Sequence, residues 1–353
     1  MQKGMVVPRG FKQSGRAVFG ALLAVAAALA LTASANAQVS TLRPSDVLVL
    51  PVAVTAKPIP LDPDDPTRDR VGELTYAGGV ELQSTDANFG GISGLLVDDD
   101  GRGFIAMSDR GIWFSGQLRY QGQALAGVDG VEEASMLDWR GQPLTFANND
   151  SEGLAFGSKG VIVSFEGFHR IWRYSLRSIG AARSLFEQAA IAVGPVKGME
   201  GLPSNGGVEA LAELPDGRVL AISEEGRTKS GEALAWLISD DGAETLSLPV
   251  SGDFKPTDAA GLPNGDVLVL ERRFSLLKGA AMRLRHIRAA SITPGGSMQA
   301  EPLAVIQPPM TVDNMEALAA IPMEGGYRIF IASDDNFNVL QRTLLLTFTW
   351  QPK

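Results

Sequence analysis

Carboxylates recur in this sequence at the open ends of short hairpins, where they could bind a cation or transfer protons. One hairpin reads GVEALAELPDGRVLAISEEG, residues 207–226, with Glu209 before its first apolar run and Glu224 after its second. The tight turn Asp216-Gly217 separates the two runs, and its glycine tolerates the positive φ that such turns need. Because the paired strands are antiparallel, the acids of both strands lie at the same end of the hairpin.

This pattern of two apolar runs around a tight turn occurs five times. The leading residues of the five hairpins are Ser93, Glu152, Glu209, Thr257 and Glu316. Their second runs end in Asp109, Glu166, Glu224 with Glu225, Glu271, and Asp334 with Asp335. Successive leading residues are separated by 59, 57, 48 and 59 positions, a strand repeat typical of β-propeller blades. The first strand of each blade lies nearest the central axis, so the leading residues should converge at one mouth of a channel.

A ring of acids in a narrow channel has two interpretations. Like charges repel strongly at low dielectric, and Ca²⁺ would offset this repulsion because it accepts about six to eight oxygen ligands in loose geometry. The expected calcium ligands are Ser93, Glu152, Glu209, Asp258 and Glu316. The alternative is that individual acids accept hydrogen bonds from backbone amides of the next blade and only hold the ring together.

Arginines follow several of the second runs and could bind an anion beside the cation. Arg110, Arg272 and Arg273 carry planar donor groups that suit phosphate or carboxylate. A carboxylate that is bound neither to the cation nor to arginine could act as a base, and Glu271 and Asp335 are the candidates. The competing interpretation is that these arginines pair with the neighbouring acids.

The elements that must position these side chains form an all-β chain. Segments between the hairpins, such as RIWRYSL and TLSLPV, predict the outer strands of the blades. The last repeat ends early, whereas ELTYAGGVEL at residues 73–82 has no blade of its own. The economical arrangement is a β-propeller of five blades whose ring is closed by this N-terminal strand. A sixth blade would require residues 39–85 to form more than an edge.

The first residues are typical of an export signal. Four basic residues precede a 15-residue apolar run, and the ANAQ that follows predicts cleavage after Ala37. An uncleaved membrane anchor is the alternative, although the run is short for a membrane span. The predicted organisation is a signal peptide over residues 1–37, an N-terminal extension and surface loop over residues 38–72, and the propeller over residues 73–353. The mature protein would then be periplasmic or secreted.

Composition narrows the expected partners. The formal charge of −9 becomes −13 when the signal peptide removes its four basic residues, and this disfavours nucleic acid and anionic membranes. With no cysteine and two histidines, the chain offers little support for disulfides, a zinc site or a serine triad. We expect a monomer that binds a small anionic ester, without stable membrane insertion once the signal peptide is removed.

Three further stretches carry a family likeness. They read SEGLAF, PTDAAGLPNGDVLVLERRFS and, most specifically, NMEALAAI followed by IFIASDDNFNVLQRTLLLTF. They resemble the phytase-like family described as "esterase-like activity of phytase", over about residues 80–350. The resemblance implies a propeller exported by a Gram-negative bacterium and a hydrolase of phosphate or other esters. The residues inside the family-like motifs are Glu152, Glu209, Asp258, Glu316 and Asp334. The prediction is a calcium-assisted phytase-like hydrolase, and the alternative is a non-catalytic ligand-binding propeller.

Overall fold

The computed structural model describes residues 47–194, 196–275 and 279–352, and their strands form five antiparallel sheets. The predicted signal peptide lies outside these residues. The sheets are the blades of a five-bladed β-propeller, which confirms the predicted fold class. Within the described ranges, no helix is long and apolar enough to cross a membrane.

Each blade is built from consecutive strands that run outward from the channel, and the blades are numbered 1 to 5 in chain order. The innermost strands are β5 (Ile92–Val97), β9 (Ser151–Gly157), β13 (Val208–Glu213), β17 (Lys255–Gly261) and β21 (Asn314–Met323). The second strands are β6 (Gly103–Ser108), β10 (Gly160–Phe165), β14 (Val219–Arg227), β18 (Val267–Ser275) and β22 (Gly326–Asp334). The third strands are β7 (Ile112–Gln121), β11 (Arg170–Tyr174), β15 (Ala233–Ser239), β19 (Gly279–Ile287) and β23 (Thr343–Trp350). The fourth strands of blades 1 to 4 are β8 (Ala124–Ser135), β12 (Ile191–Val193), β16 (Gly242–Leu248) and β20 (Ala300–Ile306).

An N-terminal strand completes blade 5. This strand, β4 (Leu74–Ser84), pairs antiparallel with β23. Both β2 (Val54–Pro58) and β3 (Arg70–Val71) pair with β4, whereas β1 (Leu50–Pro51) pairs with β8 at the outer edge of blade 1. The predicted closure of the ring is confirmed, and the described part of the segment before β4 extends two neighbouring blades instead of forming a sixth.

Tight turns at one face of the ring join the first two strands of each blade. Gly101, Gly217, Gly265 and Gly325 have φ between 72° and 87°, and Gly160 has φ 117°. A residue with a side chain would be strained in these conformations. The glycines therefore fix the hairpins, and the open ends of the hairpins lie at the opposite face, which is called the mouth below.

Helical structure in the described ranges is short and lies between strands. A 3₁₀ turn over Ile179–Ala181 leads into an α-helix over Ala182–Leu185, and two further 3₁₀ turns span Met199–Gly201 and Ala289–Ser291.

The hydrophobic core lies between the blades. Five clusters of buried side chains each join two neighbouring blades. Between blades 2 and 3, for example, Ile162 and Ile171 pack with Ala221 and Trp236. Near the turn face, the innermost strands line a cavity of about 140 Å³. The two ends of the channel therefore differ, because the acids gather at the mouth.

Candidate active site at the channel mouth

A β-bulge lies near the start of every innermost strand. In β13, Val208 pairs with Ser223 and Ala210 pairs with Ile222, so Glu209 has no partner in the ladder. The equivalent irregularities in the other blades occur at Ser93, Glu152, Thr257 and Glu316. A bulge bends its strand and re-aims a side chain. The five leading positions predicted from the sequence are therefore structurally equivalent.

Glu152, Glu209 and Glu316 share one electrostatic environment at the mouth. Burial raises the pKa of all three carboxyls, and the charges of Glu209 and Glu316 raise the pKa of Glu152 further. Only 7% of Glu209 is exposed, yet no hydrogen bond or salt bridge joins its side chain to a described residue. The positive charge of Arg272 offsets part of the increase in the pKa of Glu209, but burial without a hydrogen bond still favours a proton or a further cation at this position.

Three carboxylates lie close enough to share one ion. Asp150, Glu152 and Glu166 each offer an oxygen, and these oxygens lie within 4.8 Å of one another. Burial raises the pKa of Glu166 to about 7, against the effect of a hydrogen bond from the Gly207 amide, and the charge of Asp150 raises this pKa further. Hard carboxylate oxygens in this arrangement suit a divalent cation such as calcium. The sequence predicted Glu152 as a ligand, whereas it gave Asp150 no role.

Ser93 and Asp258 were predicted as metal ligands, but the structure uses them to hold neighbouring blades together. Ser93 Oγ donates a hydrogen bond to the carbonyl oxygen of Ser151 at 2.7 Å. Asp258 is fully buried, and its two oxygens accept hydrogen bonds from the amides of Ala259 at 2.8 Å and Leu318 at 2.6 Å. These contacts match the alternative interpretation, in which such side chains hold the ring together.

Glu271, a predicted base, lies inside blade 4 and not at the mouth. Its fully buried carboxylate accepts hydrogen bonds from Arg285 Nη1 at 2.9 Å and from Arg283 Nε. The strand register explains this orientation, because Glu271 occupies the ladder position that serine holds in blades 1, 3 and 5. The next residue, Arg272, takes the position that an acid holds in the other blades. These acids, together with the three leading glutamates, are called the mouth acids below: Asp109, Glu166, Glu224, Asp334, Glu152, Glu209 and Glu316. Glu271 is therefore not free to act as the predicted base.

Asp335, the other predicted base, is also engaged in hydrogen bonds. Its Oδ1 accepts hydrogen bonds from the amides of Gly91 and Phe337, both at 3.0 Å, and its Oδ2 accepts one from the Thr343 hydroxyl at 2.9 Å. Gly91 immediately precedes β5, so Asp335 joins blade 5 to blade 1. The guanidinium of Arg110, predicted to bind substrate, lies over the Phe337 ring at 3.2 Å from its centroid.

Arg272 brings a positive charge among the mouth acids. Its Nε lies 3.0 Å from Oε1 of Glu316, and its Nη2 donates to Oε1 of Glu224 at 3.1 Å. The Asn314 side-chain amide donates to the same oxygen of Glu316 at 2.7 Å and to Oδ2 of Asp334 at 3.4 Å. These contacts link blades 3, 4 and 5. Asn314 was not predicted from the sequence. It stands two residues before Glu316, and Asp150 stands at the same offset before Glu152, so this shared offset was a signal for both residues.

Two acids at equivalent positions of blades 1 and 5 remain available for proton transfer. Burial raises the pKa of Asp109 to about 6 and the pKa of Asp334 to about 8, and the charge of Glu316 adds to the second effect. Asp109 accepts a hydrogen bond from the Ser108 hydroxyl at 3.3 Å, and Asp334 accepts one from the Asn336 amide at 2.6 Å. Neither carboxylate forms a salt bridge within the described chain. Acids with separated pKa values can accept and donate protons in one reaction.

A groove of about 740 Å³ extends from the mouth between blades 4 and 5. Arg272 and Arg273 line it from blade 4, and Asn314 and Asn338 line it from blade 5. Its volume lies within the range of about 300–1,000 Å³ that is typical of small-molecule sites. The mouth acids and this groove together form a candidate active site.

The fold and the site define a five-bladed propeller with a carboxylate-lined channel mouth. The sequence matches the phytase-like family, described as "Esterase-like activity of phytase", over residues 87–337. This match covers more than half of the chain, and the protein belongs to that family.

Two solved structures are similar at low sequence identity. A hypothetical protein from Leishmania major is 10% identical with a TM-score of 0.41, over 80% of this chain and 91% of that chain. A gluconolactonase from Xanthomonas campestris is 12% identical with a TM-score of 0.41, over 86% of this chain and 97% of that chain. No curated protein matches the sequence. The family assignment rests on the sequence match alone.

Proposed function

We propose that the protein is an exported hydrolase of phosphate or other anionic esters, which works with a calcium ion at the acidic mouth of the propeller. The main support is the placement of carboxylate oxygens from Asp150, Glu152 and Glu166 within 4.8 Å of one another, beside the carboxylate of Glu209, which makes no hydrogen bond or salt bridge with a described residue. Membership of the phytase-like family favours ester hydrolysis. The predicted signal peptide favours export to the periplasm or the medium.

The donor chemistry fits calcium. Asp150, Glu152 and Glu166 would hold the ion, and the charge of Glu209 would increase its affinity. When bound, calcium supplies positive charge that stabilises the negative charge developing on the ester oxygens. Binding would also relieve the repulsion among the acids, which otherwise favours their protonated forms.

Asp109 and Asp334 replace Glu271 and Asp335 as the candidates for proton transfer. With a pKa of about 6, Asp109 is largely ionised at neutral pH and can accept a proton from the attacking water. With a pKa of about 8, Asp334 keeps its proton at neutral pH and can donate it to the leaving alcohol. The water oxygen then bonds to the phosphorus or acyl carbon as the bond to the alcohol oxygen breaks. Arg272 retains further donors for the substrate anion.

The proposal is tested by hydrolysis of phosphomonoesters, phosphodiesters, inositol phosphates and carboxylic esters, with calcium and with a chelator. We expect turnover of at least one ester class that the chelator abolishes. Glu152→Gln should remove most of this turnover, because it removes a charged ligand. The matched control is Glu213→Gln, at the turn end of β13, where the carboxylate accepts hydrogen bonds from the Ser158 amide at 2.7 Å and hydroxyl at 2.8 Å.

The control variant should retain wild-type turnover, because Glu213 lies at the opposite face of the ring from the mouth. Turnover of none of the esters would contradict the hydrolase. Calcium-dependent binding of ester analogues without turnover would favour the alternative, a non-catalytic ligand-binding propeller.

A further inference from the structure

The outer part of the groove between blades 4 and 5 presents apolar side chains. Phe274, at the end of β18, and Leu340, in the loop between β22 and β23, both line the groove. They are 68% and 86% exposed. Exposed apolar surface that is rimmed by polar groups often marks a ligand groove. Because the two side chains line the same groove, an apolar group bound in it could contact both.

The inner part of the groove presents two guanidinium groups, those of Arg272 and Arg273. Nε of Arg273 is buried and has no hydrogen-bond partner among the described residues, and Nη2 of the same guanidinium makes only a long hydrogen bond of 3.4 Å to Gln307. A guanidinium has five N–H donors, more than these contacts use, so anionic oxygens of a ligand in the groove can accept hydrogen bonds from both arginines. Arg272 also faces Glu316 at 3.0 Å, which makes this part of the groove continuous with the mouth acids.

We propose that the groove binds the alcohol portion of the substrate, and that the preferred substrates are anionic esters of aromatic or bulky apolar alcohols. This inference rests on the proposed function, because it places the scissile ester at the acidic mouth. The anionic group would contact Arg272 and Arg273, and the apolar group would lie outward against Phe274 and Leu340. The volume of about 740 Å³ is that of a site for a molecule much larger than a short alkyl phosphate.

Binding of phenylphosphonate and methylphosphonate tests the inference, because neither compound has an ester bond to hydrolyse. Their affinities would be measured by calorimetry on the mature protein with saturating calcium. We expect phenylphosphonate to bind about tenfold more tightly, since the ring buries apolar surface. The double variant Phe274→Ser with Leu340→Ser should reduce this ratio to about threefold or less. The matched control Val339→Ser changes a side chain that is 99% exposed and lies outside the groove lining, so it should leave the ratio unchanged.

Equal affinity of the two phosphonates would overturn the inference, as would a preference that persists in the double variant. Failure of both compounds to bind would also overturn it, because the arginines would then not form an anion subsite. Loss of the preference in Val339→Ser as well would indicate a general apolar surface and not a subsite. The proposed function fails separately, through the absence of ester turnover, and the aromatic preference in binding would stand in that case.

Discussion

Replacing Glu152 by glutamine is expected to change the stability of the propeller in opposite directions with and without calcium. The side chain belongs to the three-carboxylate cluster, and the charges of Glu209 and Glu316 raise its pKa. The amide of glutamine keeps the size of the side chain while it removes a charged ligand and a source of repulsion. Without calcium at neutral pH, Glu152→Gln should melt above the wild type. With calcium, it should lose most of the stabilisation that the wild type gains.

The size of the calcium effect follows from mass action. A ligand at 100 times its dissociation constant stabilises the folded state by about 2.7 kcal/mol. The entropy of unfolding is about 2.1 cal/mol/K per residue, which gives about 0.6 kcal/mol/K for a propeller of roughly 300 residues. Calcium should therefore raise the melting temperature of the wild type by about 4 °C, a shift that scanning calorimetry measures easily.

The calorimetric assay compares wild type, Glu152→Gln and the control Glu213→Gln, each with calcium and with a chelator. The control should lose about 1 kcal/mol from its hydrogen bonds to Ser158, yet keep the full calcium gain. Magnesium should stabilise the wild type less, because it gives up its water reluctantly and requires strict octahedral geometry. The cation site would be refuted if calcium left the wild-type melting temperature unchanged, or if calcium raised the melting temperature of Glu152→Gln as much as that of the wild type.

Three further predictions concern protonation and the arginines. Without calcium, the free energy of unfolding should fall by about 3 kcal/mol as the pH rises from about 4.5 to about 7, because Glu166, with its raised pKa, binds a proton in the folded state but not in the unfolded state over this window. Urea melts at a series of pH values check this, and a flat profile would contradict it. The pH profile of kcat/KM should rise near pH 6, where Asp109 loses its proton, and fall near pH 8, where Asp334 loses its proton. Asp109→Asn should lower kcat/KM by about 100-fold and remove the rise of the profile near pH 6. If that rise is unchanged in the variant, Asp109 is not the base. Arg272→Met should lower the free energy of unfolding by about 3 kcal/mol, since it leaves two acids without their cation. Arg273→Met should lower it by less than about 1 kcal/mol. Equal losses of unfolding free energy in denaturant melts of the two variants would show that Arg272 does not link the blades.

The fold could be predicted from the sequence because its signals are local. Turn dipeptides such as Asp216-Gly217 fix each hairpin, and their spacing reveals the blades. The same turns determine which end of the hairpin carries the acids, so the gathering of Glu152, Glu209 and Glu316 at one mouth was also predictable. Even the closing strand could be inferred, because an unpaired strand at one end of the chain matched an incomplete blade at the other.

The roles of individual side chains could not be predicted, because they depend on register and on contacts between blades. Glu271 precedes the acid position of its blade by one residue, and in a strand such an offset turns the side chain to the other face. Asp258 and Asp335 accept hydrogen bonds from backbone amides of other blades, and a single sequence does not show those partners. The groove between blades 4 and 5 is likewise formed by loops that are distant in the sequence.

The closure of blade 5 has a consequence for biosynthesis. The hydroxyl of Thr347 in β23 donates a hydrogen bond to the carbonyl oxygen of Ala77 in β4, across 270 residues of chain. The pairing of β4 therefore cannot be completed until β23 has been synthesised, and contacts of such long range form slowly. Until then, β4 and β23 both present unpaired backbone edges, which are prone to pair with other chains. Removal of either β4 or β23 would open the sheet of blade 5, so the ring stays closed only when both strands are present.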